Sequence, residues 1–112
     1  MNMISDKFFI DEKIEERPIE MGDGTSETLW FKHLPNTAFE RYALWCNSSD
    51  EDVVSKAGPR LLVLGVCQPD GTPALTQEQA ERIKRQIMLR ILAALMEVNG
   101  YGKEKKTDAG KP

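Results

Sequence analysis

The chain has one histidine and two cysteines, too few soft ligands for the common metal sites. His33, Cys46 and Cys67 make three, without paired spacing, whereas a structural zinc site takes four, usually from C-x-x-C-like pairs. No sequence context supports a Cys–His nucleophile. The carboxylates run together in Asp11 to Glu16 and Asp50 to Asp52. Such runs face solvent and lack the isolation that raises a catalytic pKa. Neither G-x-G-x-x-G nor G-x-x-x-x-G-K-[ST] occurs, so the two Asp-Gly pairs are turn punctuation. No apolar run approaches the roughly 20 residues of a membrane span. Asp6 and Lys7 beside Phe8, Phe9 and Ile10 lack the basic flank and long apolar core of a signal peptide. The expected compartment is the cytosol, with Cys46 and Cys67 as small reduced core residues. No catalytic, cofactor-binding or metal-binding residue is assigned, and no cofactor is expected.

What is present is an ordinary soluble composition, 40% apolar and 29% charged over 112 residues. That is one domain, burying about two-thirds of its unfolded surface. A net charge of −3 gives no general attraction to nucleic acid or anionic membrane. Residues 1–13 read as a flexible arm with an apolar patch at Phe8, Phe9 and Ile10. Residues 14–102 form the domain. Residues 103–112 are a lysine-bearing tail that cannot fold on its own composition.

Within the domain, Ile19 and Met21, then Leu29 and Phe31, alternate with polar or outward residues around Gly22-Asp23-Gly24, which predicts a β-hairpin. Pro18 confines the first strand to an edge or to a start beyond it. Thr37 with Glu40 fits a capping box opening a helix whose inner face is Phe39, Tyr42, Ala43 and Cys46, with Trp45 at its edge. Asp50, Glu51 and Asp52 favour another helix start. Pro59 suits the first position of a further helix. Periodicity leaves Arg60 to Cys67 open between buried strand and buried helix, and Pro59 favours helix. Pro69-Asp70-Gly71-Thr72 is a tight turn, and His33 is a polar residue at a strand exit.

Thr76 caps the last helix with Gln79 at its third position, and Asn99-Gly100 ends it. Unbroken from Gln77 to Val98, the helix would span about 33 Å; a kink near Arg85-Gln86 stays open, though no Pro or Gly marks one. Glu81 and Arg85 are spaced for a helical ion pair. Ala80, Ile83, Ile87, Ile91, Ala94 and Val98 form one apolar stripe. From Met88 a second stripe runs beside it: Met88, Leu89, Leu92 and Met96. A helix greasy on two sides needs two partners, and the second is expected to lie outside this short chain. Met88, Leu89, Leu92, Met96 and Trp45 are therefore the candidate protein-interaction residues. The expected fold is mainly α within the α+β class: a small N-terminal hairpin followed by a compact helical domain.

The order of these pieces resembles the tail assembly chaperones of long-tailed bacteriophages of siphovirus type. The likeness covers roughly residues 18–102 and rests on the hairpin, Asn36-Thr37-Ala38-Phe39-Glu40-Arg41, and Pro59-Arg60-Leu61-Leu62-Val63-Leu64-Gly65-Val66. It continues through Pro69-Asp70-Gly71-Thr72-Pro73 and the stretch from Thr76-Gln77-Glu78-Gln79-Ala80-Glu81 to Glu97-Val98-Asn99-Gly100. It implies a non-enzymatic chaperone of the host cytoplasm, absent from the mature virion, that multimerises and binds the tape-measure protein and the major tail tube protein. It also implies a longer frameshifted product, with Gly110-Lys111 or Gly102-Lys103 at the slippery site. The rival readings are a small helical DNA-binding regulator, using the basic side formed by Arg82, Lys84, Arg85 and Arg90, and a head–tail connector or other virion component.

Overall fold

Residues 4–101 are described by a computed structural model of the chain. The expected lysine-bearing tail and both Gly-Lys dipeptides lie outside the described residues. Among the described residues of the arm, 4–13, the one regular element is a 3-10 turn at Asp6–Phe8 capped by the Ser5 side chain. Ile4, Phe8, Phe9 and Ile10 are all exposed.

The alternating segments form β1 (Glu15–Glu20) and β2 (Ser26–Phe31), antiparallel, with Glu15 opposite Phe31 and Glu20 opposite Ser26. β1 begins earlier than the apolar alternation implies, and Pro18 sits inside it. That is tolerated because β1 is an edge strand, where a missing N–H interrupts no second ladder. The turn needs positive φ at Gly22 and Gly24. Its Asp23 carboxylate accepts from the amide and hydroxyl of Thr25. The Asp70-Gly71-Thr72 turn repeats this arrangement: Asp70 accepts from the amide and hydroxyl of Thr72, and Gly71 has φ 88°.

The chain then builds α1 (Asn36–Cys46), α2 (Glu51–Ser55) and α3 (Ala57–Gly65). The Thr37–Glu40 capping box does not form, because α1 starts at Asn36, behind Pro35, without a side-chain cap. Its inner face is also rotated: Ala38 is buried and Phe39, Tyr42 and Trp45 half-buried, while Ala43 and Cys46 are exposed. Cys67 is the one cysteine that joins the core. Asp50 caps α2 by accepting from the Asp52 amide. Pro59 falls in the first turn of α3, where its lack of an N–H leaves no bond unmade.

The segment Arg60 to Cys67 is both helix and strand. α3 ends at Gly65, and Val66–Cys67 form β3, which pairs antiparallel with Phe31 and Trp30 of β2. The fold is therefore a mixed α+β domain in which a three-stranded sheet, rather than a lone hairpin, carries the helices.

The long last helix is broken. α4 (Gln77–Glu81) has the expected Thr76–Gln79 capping box, but the chain turns at Arg82–Lys84 before α5 (Arg85–Val98) begins. Arg82 and Ile83 close α4 with tight backbone bonds to Gln79 and Ala80, and Lys84 takes an extended ψ of 139° before α5. The break lets α4 lie on α3 while α5 lies across β1 and α3. It also separates Glu81 from Arg85. Glu81 accepts from Gln77 instead, and no Glu81–Arg85 ion pair forms.

The core comprises Ile19, Phe31, Leu61, Leu62, Val66, Ile87, Ile91, Leu95 and Val98. Three groups fasten α5 to the sheet. Arg90 donates to the Glu20 carbonyl at 2.8 Å. Asn99 donates to the carbonyls of Lys32 and Leu95 and accepts from the Leu34 amide at 2.7 Å. Arg17 bridges Glu15 on its own strand and Glu97 on α5, both at 3.1 Å.

Candidate protein-interaction surface

At about 100° per residue the two stripes of α5 merge into one broad arc, with Leu95 between them. Exposure grows across it. Ile87, Ile91, Leu95 and Val98 are buried. Met88, Leu92 and Met96 are half-buried against the core, and Leu89, at the far side, is 50% exposed. The second stripe has a partner within the chain: Gly58 of α3 lies over Met88 and Leu92, close enough that a Cβ there would touch both side chains at ordinary contact distance. The expectation that this whole stripe needs a neighbour outside the chain is thus narrowed. α3 covers Met88 and Leu92, and Leu89 is the member left open.

Trp45, on α1, has a different neighbour. The Arg60 guanidinium of α3 lies 5.3 Å from its ring centroid, a cation–π contact that leaves the indole half-buried. Beside it Leu44 is 71% exposed, and Leu64 on α3 and Val54 on α2 are also open.

A second apolar feature went unseen in the sequence. A groove of about 500 Å³ lies between the inner face of the hairpin and the α4–α5 junction. Buried Ile19, Ile87 and Ile91 belong to its lining, and half-buried Met21, Leu29 and Ile83 remain accessible along it. Asp23, Glu27 and Lys84 supply the charge at its edges. The groove exists because the chain turns at Ile83, and only a Gly or Pro there would have signalled that turn.

Among the described residues no group of three or more His, Cys, Asp or Glu side chains gathers where it could hold a metal ion. Cys67 is buried, and that burial pushes its thiol pKa up, away from the reactive thiolate. Burial, with Cys46 beside it, likewise raises the Tyr42 phenol. His33 meets the Glu15 carboxylate at the exit of β2. Burial pushes the Glu15 carboxyl up, but hydrogen bonds from His33 and Arg17, and their charge, outweigh it and hold it below the ordinary range. The basic side expected for a nucleic-acid helix is partly engaged within the chain, since Arg90 is bound to the hairpin and Lys84 flanks Asp23. Among the described residues no helix is long and apolar enough to cross a membrane.

Comparison with protein families, with curated proteins and with solved structures finds no match to this chain.

Proposed function

We propose that this chain is a non-enzymatic assembly chaperone of the phage-tail type, working in the bacterial cytoplasm. It self-associates and holds an extended helical client, the tape-measure protein, while tail tube subunits gather. The observation that carries this reading is the unfinished apolar arc of α5: it passes from buried Leu95 through half-buried Leu92 and Met96 to open Leu89. Methionine is unbranched and polarizable, so a surface with Met88 and Met96 adapts to varied client sequence. Leu44 on α1 and Leu64 on α3 are further exposed apolar side chains. The order of sequence pieces that resembles tail assembly chaperones supplies the identity of the client.

Co-expression with a tape-measure protein tests it. The chaperone reading expects a soluble complex that survives high salt, because the contact is apolar. A DNA-binding regulator would instead be retained on DNA and released steeply by salt. A connector would be found in purified particles.

A further inference from the structure

The two outer strands of the sheet differ in what they offer to another chain. β3 is two residues long, and Pro73 already bridges to Cys67 on its outer side. β1 runs for six residues at the other edge of the sheet. A bare edge of that length is a template for pairing with a further strand.

The backbone of β1 alternates between its two sides. Just past the paired positions, the Met21 amide donates to the Thr25 carbonyl at 2.9 Å. Bonded positions of an antiparallel ladder recur at every second residue. Glu15, Arg17 and Ile19 therefore face β2, while Glu16, Pro18 and Glu20 turn their backbone groups outward. Each of these outward residues lacks one of its two groups. Pro18 has no N–H to give. The Glu16 carbonyl accepts from Arg17 Nη1 and the Glu20 carbonyl from Arg90 Nη1, both at 2.8 Å. An added antiparallel strand exchanges two bonds with each residue it faces, and nowhere along this edge would it find both free.

We propose that Pro18, Arg17 and Arg90 together keep the β1 edge from pairing with β1 of a second copy, so that the sheet is a latent association site held shut from α5. Both arginines are anchored on that helix: Arg90 belongs to it, and Arg17 is held by Glu97 at 3.1 Å. Charge acts in the same direction. In an antiparallel pair of β1 strands centred on Pro18, Glu16 of one copy falls opposite Glu20 of the other, and both side chains are exposed. Like charges directly opposite are unfavourable. A closed edge constrains how copies meet and not what they bind, so it stands apart from the chaperone reading.

Amide hydrogen exchange and sedimentation of the full chain test this. In the wild type the Glu16 and Glu20 amides are expected to exchange as solvent-exposed groups at every protein concentration. Pro18→Val with Arg90→Met restores the missing donor and frees the Glu20 carbonyl. That variant should associate about a hundredfold more tightly than the wild type, with new protection at Glu16 and Glu20 that grows with concentration. Pro18→Val alone changes one exposed residue of an edge strand and should show the same change to a smaller extent. Concentration-dependent protection of Glu16 and Glu20 in the wild type would overturn the proposal. So would a folded double variant with wild-type size and exchange or, where the double variant unfolds, a Pro18→Val chain with both unchanged.

Discussion

Gly65 of α3 and Leu95 of α5 meet so closely that a Cβ on Gly65 would stand 2.6 Å from Leu95 Cδ1. The glycine is there for this approach, since its φ is not positive. Leu95, 0% exposed, has nowhere to retreat. Gly65→Ala is expected to destabilise by about 1–3 kcal/mol through overpacking, read as a lower urea midpoint with an unchanged slope. A wild-type midpoint would show that α3 and α5 can slide apart freely.

Asn99 does more than end α5. Its side chain holds the Lys32 carbonyl and the Leu34 amide, so it ties the end of the helix to the strand exit. Asn99→Ala leaves both half-buried backbone groups without that partner and should cost about 1–3 kcal/mol. Asn99→Asp still accepts from Leu34 but cannot donate to Lys32, so it should not rescue. Thermal melts of the two variants decide this, and a wild-type melt for Asn99→Ala would contradict it.

Acid should weaken the fold through three carboxylates held below their ordinary range. Burial acts to raise Glu15, but His33 and Arg17 outweigh it. The Thr25 and Thr72 donors lower Asp23 and Asp70. For a depressed folded pKa the ionised form favours folding: the contribution is whole above the unfolded value and is lost as pH falls through the folded one. Urea midpoints should therefore drop through the acid range, and Glu15→Gln should flatten part of that drop. The effect is modest, because Arg17 and Glu97 stay solvent-accessible. An identical pH profile for Glu15→Gln would remove Glu15 from the explanation.

Leu89 and Leu95 lie on the same helix arc yet should respond oppositely to charge. Leu95→Asp places a carboxylate among fully buried neighbours and should unfold the chain. Leu89→Asp, at a position 50% exposed, should stay within about 0.5 kcal/mol of wild type. Circular dichroism melts compare them directly, and unfolding by Leu89→Asp would mean that this residue belongs to the core.

The hairpin, both Asp-Gly-Thr turns, the Thr76 cap and the apolar stripes of α5 were legible because each rests on a local rule within a few residues. Three features were not. β3 is two residues long, and it becomes a strand only because Phe31 and Trp30 lie beside it. The break at Arg82–Lys84 has no Gly or Pro and arises from packing α4 on α3. The inward rotation of α1 depends on α3, which takes Trp45 under Arg60 and leaves Cys46 outside. For the candidate surface, the sequence located the second stripe but not its cover: Gly58 faces Met88 and Leu92 across 30 residues or more, a contact that no spacing rule reveals. Leu95 was missed by treating as two stripes what is one broad arc.

Capture of a tape-measure protein by the wild-type chain, set beside capture by folded Leu89→Asp, tests most directly whether the open side of α5 is the binding surface. The expected result is a salt-resistant complex for the wild type and a much weaker one for the variant, at equal melting temperature. Undiminished capture by Leu89→Asp, or none by the wild type, would contradict it.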